Sequence, residues 1–148
     1  QALDLVGRKL AMAGMRPINT FFGELDEFIA ENQGDADLKL YVDGLADVKA
    51  KLQKATNWLV EKGLENFDNA GAASTDYMHL FGLTCFAYMW AKMAKVAAAK
   101  KGDSDPIYAT KLVTAKYFVE RWLPQADAHL ARIETGAETM MTLEAEAF

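Results

Sequence analysis

The stretch DYMHLFGLTCFAYMWAKMAKVAAAKK, from Asp76 to Lys101, decides the fold of this chain. Between Asp76 and Lys92 it carries no formal charge, and apolar residues occupy every side of the helix it would form. Such a helix has to be surrounded by protein or by lipid, and the run is shorter than the roughly 18 apolar residues of a membrane span. We therefore expect it to be the central helix of a soluble bundle, with no side facing water.

The composition is typical of one compact helical domain. The 148 residues are 51% hydrophobic and include only 3 prolines, and Ala, Leu, Lys, Glu and Met favour helix. The net charge of -5 argues against a nucleic-acid partner, because phosphate binding needs a concentrated basic patch. Cys85 is the single cysteine, so no internal disulfide can form, which suits a reducing compartment. No signal peptide is visible, and we expect a cytoplasmic protein.

Helical spacing of apolar residues also predicts the elements before the central stretch. Residues 1 to about 13 are expected to form a short helix that ends at Gly14, and a second helix begins at Pro17. A third helix begins at Asp35, a plausible N-cap, and its apolar residues recur in steps of three and four. These are Leu38, Tyr41, Leu45, Val48, Leu52, Ala55 and Leu59.

The segments on either side of the central helix have turn composition. Residues 62–74 collect Gly, Asn and Asp and are predicted to be the longest loop, after which Ser74 or Thr75 caps the central helix. Asp105 and Pro106 form a cap and first-turn pair for the last long helix.

Two further signals mark the last helix and the C-terminus. Pro124 should kink the helix near Trp122. Thr135 and Glu138 have capping-box spacing before a short terminal helix that runs towards Phe148. The prediction is an all-α single domain, residues 1–148: an up-and-down four-helix bundle with short extra helices at the N- and C-termini.

One pair of residues suggests metal chemistry. Asp76 and His79 have the spacing of half a bundle di-metal site, but a full site needs a second such pair. Ala126 stands three positions before His129, so the second pair is missing. We favour an acidic cap at Asp76 and a partly buried packing role for His79.

Other candidate residues have structural explanations at least as strong. His129, Arg132 and Glu134 could belong to a phosphotransfer helix, although a lone interface histidine is more often a packing residue. Cys85 lies among aromatic residues, where desolvation makes a thiol a poor nucleophile. Four lysines could hold a phosphate or simply form a solvated face: Lys92, Lys95, Lys100 and Lys101.

Methionines and tryptophans could form either the core or a contact surface. Methionine at helical spacing usually fills gaps in a core, and aromatic residues concentrate both in cores and at subunit interfaces. The residues concerned are Met78, Met89, Met93, Met140 and Met141, together with Trp58, Trp90 and Trp122.

Three stretches resemble the C-terminal part of the FAD-dependent acyl-CoA dehydrogenases. They are QALDLVGRKL (1–10), AYMWAKMAKVAAAK (87–100) and KLVTAKYFVERWLPQADAHLARIETGAETMM (111–141). The similar branch includes 3-methylmercaptopropionyl-CoA dehydrogenases and carries an extra helical domain. In the family, the first stretch follows a Tyr-Glu-Gly-Thr-type turn that holds the catalytic carboxylate. The resemblance therefore implies that the base, the flavin-binding domain and most of the acyl pocket lie before Gln1.

The resemblance implies no catalytic, cofactor-binding or metal-binding residue in this chain. It implies a non-catalytic structural or oligomerisation domain of an enzyme that oxidises the α,β-bond of an acyl-CoA with FAD. Its partners would be the N-terminal dehydrogenase body of the same chain and further copies in a homo-oligomer, with acyl-CoA bound by the parent enzyme and no nucleic-acid or membrane partner. Two alternatives remain: a free-standing metal-carboxylate bundle and a helical docking module.

Overall fold

The regular elements of this chain are all helical in residues 1–147, which are the residues that the computed structural model describes. No strand occurs in this range, so the predicted all-α class is confirmed. In chain order the elements are α1 (Ala2–Asp4), a first π-helical turn (Leu5–Lys9), α2 (Arg16–Asn32), α3 (Lys39–Glu65), α4 (Phe67–Ala99), α5 (Pro106–Tyr117), a second π-helical turn (Phe118–Trp122), α6 (Gln125–Thr135), α7 (Glu138–Met141) and a 3₁₀ turn (Ala145–Ala147).

The four long helical segments alternate in direction. Helix α3 and the α5–α6 segment run antiparallel to α4, whereas α2 runs parallel to α4. This is the predicted up-and-down bundle. Between α3 and α4 the contacts are Thr56 with Tyr77 and Gly63 with Ala70. Between α4 and the α5–α6 segment they are Trp90 with Phe118 and Asp76 with His129. Between α2 and α4 they are Phe21 with Phe81 and Phe28 with Tyr88.

The central position predicted for the Asp76–Lys101 stretch is confirmed, since α4 packs against α1, α3, α5 and α6. Its alanines at positions 87, 91 and 94 are buried, and their small side chains let neighbouring helices approach closely. The expectation that no side faces water is wrong, because Phe86 is 61% exposed and Val96 is 60% exposed. No helix within residues 1–147 is long and apolar enough to cross a membrane.

The loop predicted for residues 62–74 is not present. Helix α3 continues to Glu65, Asn66 alone is extended (φ -149, ψ 120), and α4 starts at Phe67. Asn66 therefore caps α4, and the predicted cap at Ser74 or Thr75 is wrong. The residues taken as turn formers fit into helices because Gly63 and Ala70 face each other where α3 meets α4.

The Asn66 cap gives a stability prediction. The Asn66 side-chain oxygen accepts a hydrogen bond of 3.0 Å from the backbone N–H of Asp68. Replacing Asn66 by alanine leaves that N–H without its partner, so urea denaturation should show a loss of about 1 kcal/mol. Asn66→Asp keeps a side-chain oxygen that can accept this hydrogen bond, so its loss of stability should be much smaller. Equal losses for the two variants would show that the side-chain oxygen is not what matters.

Three predicted helix ends differ from those observed. The first helical segment ends at Lys9 rather than near residue 13, and Met15 adopts a left-handed conformation (φ 64) just before α2. The Asp35 carboxylate accepts from the N–H of Asp37 within a turn, and α3 begins only at Lys39. Helix α7 has no side-chain cap, because the Thr135 hydroxyl donates to the Ala131 carbonyl instead. The predicted end at Phe148 lies outside the described residues.

The break expected at Pro124 is confirmed. The helix widens into the second π-helical turn, where the Leu123 N–H donates to the Phe118 carbonyl at 3.0 Å, and α6 restarts at Gln125. Proline removes one backbone donor and crowds the preceding turn, so a local change of helix type relieves the conflict. The wider turn places Phe118 against α4 and leaves Trp122 half exposed.

Candidate functional site

A polar cluster joins α4 to α6. Asp76 Oδ1 lies 2.6 Å from His129 Nδ1 and 3.1 Å from Arg132 Nε. His79 stacks its ring on that of His129, with centroids 5.3 Å apart and planes inclined by 13°. The side chains of Asp76 and His129 are only 22% and 13% exposed, so their interaction is largely shielded from solvent.

The protonation pattern of His129 follows from this contact. An ionised carboxylate can only accept hydrogen bonds, so Nδ1 of His129 has to donate to Asp76. In the neutral ring, Nε2 then carries the lone pair and is free to accept a hydrogen bond. The pair therefore fixes both the orientation and the tautomer of the imidazole.

The role predicted for Asp76 is wrong. It lies well inside α4, because the helix starts at Phe67, and its carboxylate binds α6 instead of capping α4. His79 was predicted to be partly buried, but it is exposed. The partly buried one of the two stacked histidines is His129. Within residues 1–147, no group of three or more His, Cys, Asp or Glu side chains is placed to hold a metal ion.

The residues considered for a phosphotransfer helix bind partners on two different helices. His129 and Arg132 both bind Asp76, whereas the Glu134 carboxylate lies 2.6 Å from Nζ of Lys54 on α3. These three side chains of α6 thus connect it to two different helices.

An apolar groove of about 470 Å³ lies next to the polar cluster. Helix α4 forms one wall, and α5, the second π-helical turn and the start of α6 form the other. The groove has mostly apolar and aromatic walls, with the two histidines among its few polar groups. Its lining residues are Met78, His79, Gly82, Leu83, Phe86, Trp90, Thr114, Tyr117, Phe118, Trp122, Gln125 and His129.

The candidate tryptophans and methionines divide between the core and exposed surfaces. Trp58 and Trp90 pack against the core, Trp90 also lines the groove, and Trp122 lines the groove and is 50% exposed. Met78 also lines the groove, and Met93 lies in a smaller apolar pocket farther along α4. Of the candidate methionines, the exposed ones are Met89, Met140 and Met141.

Cys85 and the four lysines do not form a reactive site. Cys85 is half-buried, and burial raises the pKa of its thiol, which agrees with the prediction of a poor nucleophile. The lysines contact separate partners instead of converging on one point, as expected for a solvated face. These contacts are Lys92 with the Tyr88 ring, Lys95 with the Phe28 ring and Glu31, Lys100 with the Tyr108 ring, and Lys101 with Asp37.

The groove could not be recognised as a site from the sequence. Trp90, Trp122 and His129 were separate candidates, whereas Tyr117 and Phe118, which form part of the wall opposite α4, were not candidates. An available signal was the aromatic content of residues 117–122, YFVERW, immediately before Pro124. Aromatic residues beside a predicted helix break are candidates for a surface cleft.

Comparisons with known proteins agree with the resemblance found in the sequence. A sequence profile of the acetyl-CoA dehydrogenase C-terminal-like family matches residues 21–144. The chain is also 24% identical, over 159 aligned residues, to a broad-specificity linear acyl-CoA dehydrogenase of Mycobacterium tuberculosis (strain ATCC 25618 / H37Rv). That alignment covers 100% of this chain and 26% of the relative. The chain thus spans about a quarter of the length of that enzyme.

Proposed function

The chain belongs to the family of acetyl-CoA dehydrogenase C-terminal-like domains, and we propose that it is a non-catalytic structural and oligomerisation domain of an FAD-dependent acyl-CoA dehydrogenase. In this proposal the rest of the enzyme oxidises the α,β-bond of an acyl-CoA. The helical domain packs on that dehydrogenase body and on a further copy in a homo-oligomer. We also propose a cytoplasmic location, without nucleic-acid or membrane partners.

The observation that carries the packing role is an exposed apolar surface where α3 meets α4. We call it the corner surface. Its first part is Leu64, 76% exposed, and Phe67, 83% exposed. The C-terminal segment lies beside it, since the Ala137 N–H donates to the Asn69 side chain at 3.0 Å. The segment adds three more exposed apolar residues: Met140, Met141 and Leu143.

Exposed apolar residues grouped in this way are typical of protein contact surfaces. A phenylalanine at the first position of a helix contributes nothing to the bundle core when it is 83% exposed. Covering Phe67 with protein would remove its apolar surface from water, which stabilises the contact by about 25 cal/mol for each Å² buried. The corner surface therefore suits a domain whose role is to hold other parts of an enzyme together.

The lining of the 470 Å³ groove does not suit FAD. Proteins hold the diphosphate of such a cofactor with basic side chains or with the backbone amides of a Gly-rich turn. Neither lysine nor arginine is among the residues lining the 470 Å³ groove, and none of its lining comes from a Gly-rich turn. We therefore assign FAD, the catalytic base and the acyl-CoA site to the rest of the enzyme.

The branch of the family is a finer proposal. The resemblance of the three stretches suggests a parent enzyme related to the 3-methylmercaptopropionyl-CoA dehydrogenases. Comparing the rates of the complete enzyme with 3-methylmercaptopropionyl-CoA and with straight-chain acyl-CoA would test this branch. A clear preference for straight chains would rule it out without affecting the structural role.

Assembly with the dehydrogenase body provides the main test. The chain and the body are expressed as separate polypeptides, purified, mixed, and analysed by sedimentation velocity. We expect a complex that Phe67→Glu disrupts, because the change places a charge on the corner surface. Val113→Glu is the matched control, since Val113 is 71% exposed on α5, away from the corner.

A second measurement tests the lack of catalysis. After incubation with excess FAD and exhaustive dialysis, the isolated chain should show no flavin absorbance and no dehydrogenase activity. Flavin retained in equimolar amount, or a complex equally stable with Phe67→Glu and Val113→Glu, would contradict the proposal.

A further inference from the structure

We propose that the groove between α4 and the α5–α6 segment is a binding site for an aromatic monocarboxylate, with His129 as the residue that holds the carboxylate. This inference goes beyond the structural role above and does not rest on it. It depends on the shape of the groove, on its aromatic walls, and on the Asp76–His129 pair at its polar side.

The size and lining of the groove are those of a small-molecule site. Its volume of about 470 Å³ lies within the range of roughly 300–1,000 Å³ that such sites occupy, often between the helices of a bundle. Small-molecule sites combine mostly apolar walls with a few polar groups that fix orientation. This groove has the same combination, with His79, Thr114, Gln125 and His129 as its polar lining.

The walls favour a flat aromatic body for the ligand. Phe86, Trp90, Phe118 and Trp122 all line the groove, so that aromatic rings stand on both of its sides. Rings attract one another in offset or edge-to-face arrangements, which adds to the gain from burying apolar area. Gly82 forms part of the α4 wall, and a Cβ added there would meet nothing within 4 Å, so the space above it is open.

The polar side favours an acidic head group. Because Nδ1 of His129 donates to Asp76, its second nitrogen, Nε2, is left for the groove that His129 lines. A ligand carboxylate and Nε2 can share one proton that is taken up from solvent together with the ligand, which gives a hydrogen bond between the ring and the carboxylate. The Asp76 carboxylate on the other side of the ring stabilises the charge that the ring gains.

The charges around the groove support the same ligand class. None of its lining residues is Asp or Glu, although the whole chain has a net charge of -5. Nζ of Lys111 lies 5.5 Å from the centre of the Trp90 ring, which adds a positive charge beside the aromatic wall. An anion in the groove would therefore meet no carboxylate among the lining residues, and the Asp76 carboxylate behind His129 is already paired with His129 and Arg132.

Calorimetric titration of the chain with 2-naphthoate tests the proposal. We expect saturable binding of one molecule per chain, and weaker binding of 2-naphthol, which has the same rings without the carboxylate. A quaternary ammonium with the same rings, (2-naphthylmethyl)trimethylammonium, should not bind measurably. The enthalpy of 2-naphthoate binding should depend on the ionisation enthalpy of the buffer at pH 8, because the proton shared between Nε2 and the carboxylate is released by the buffer when the ligand binds.

Two variants separate the groove from the head-group contact. Gly82→Leu should abolish binding by filling the groove, whereas Gly71→Leu should bind like the parent chain. The two glycines are a matched pair, because both lie in α4 and a Cβ at either meets nothing within 4 Å. His129→Gln should weaken 2-naphthoate binding roughly tenfold or more through loss of a charged hydrogen bond, while 2-naphthol binding changes less.

Three outcomes would overturn the proposal. They are no saturable binding of 2-naphthoate, equal binding by the Gly82→Leu and Gly71→Leu variants, and equal affinity for the carboxylate and the ammonium probes. If the His129→Gln variant does not fold, the comparison of Gly82→Leu with Gly71→Leu still tests the proposal, because neither change alters the polar cluster. Assembly through the corner surface can succeed or fail independently of each of these results.

Discussion

Replacing Leu52 by alanine is expected to lower the free energy of unfolding by about 2–5 kcal/mol. Leu52 is 0% exposed, lies in the middle of α3, and belongs to the main hydrophobic core. Alanine removes buried carbon atoms and leaves a cavity that the surrounding helices can close only in part. Urea denaturation followed by circular dichroism at 222 nm would measure the loss.

Leu64 offers a control in the same helix. The same change, Leu64→Ala, removes the same atoms from a side chain that is 76% exposed, and should alter stability by less than about 0.5 kcal/mol. The difference between the two variants therefore isolates burial from helix propensity. Similar losses at both positions would mean that Leu52 is not held in a packed core.

The buried side of α3 could be predicted because its cause is local. Apolar residues in steps of three and four place one stripe along a helix, and the stripe has to be buried wherever the neighbours are. The structure buries Leu45, Val48, Leu52, Ala55 and Leu59 as expected. The cap and first-turn pair at Asp105 and Pro106 is confirmed for the same reason, since the Ile107 N–H donates to the Asp105 carboxylate.

The junction between α3 and α4 could not be predicted from composition. Gly, Asn and Asp favour turns, but whether they form one depends on what packs around them. Here Gly63 provides room for Ala70, so both helices continue to a single extended residue, Asn66. This packing joins residues of two different helices, so it cannot be predicted from the turn and helix propensities of the local sequence.

The candidate site was even less accessible to sequence analysis. Asp76 and His129 are 53 positions apart, and nothing in their spacing indicates that they pair. The groove forms only because α5 and α6 lie beside α4 with a helix break at Pro124 between them. Family membership, in contrast, was accessible because it rests on extended similarity and not on the geometry of a few residues.

Raising the pH from 10 to 12 is expected to destabilise the fold through Tyr77, whose side chain is 0% exposed. The Tyr77 hydroxyl lies 2.8 Å from Thr56 Oγ1, and the Thr56 hydroxyl donates its only hydrogen to the Leu52 carbonyl. Tyr77 therefore has to donate to Thr56, and a tyrosinate could not. Burial raises the pKa of Tyr77 to about 12.

The sign of the effect follows from proton binding in the two states. An unfolded tyrosine loses its proton near pH 10, whereas Tyr77 in the folded chain keeps it up to about pH 12. Between these values the folded state binds more protons, so the free energy of unfolding falls as the pH rises. The contribution is fully present below pH 10. Its loss is complete above the folded pKa and amounts to about 2–3 kcal/mol, at 1.36 kcal/mol for each pKa unit.

Tyr77→Phe isolates this contribution. At neutral pH the variant should lose about 0.5–1.5 kcal/mol with the hydrogen bond, and between pH 10 and 12 its stability should fall less steeply than that of the parent chain. Tyr117→Phe is the matched control, because Tyr117 is 56% exposed and its replacement should leave the steep decline unchanged. The measurement is urea denaturation at half-unit steps of pH, with tyrosinate absorbance at 295 nm recorded in parallel. Parallel declines in the parent chain and Tyr77→Phe would show that the buried hydroxyl does not control alkaline unfolding, because phenylalanine has no proton to lose.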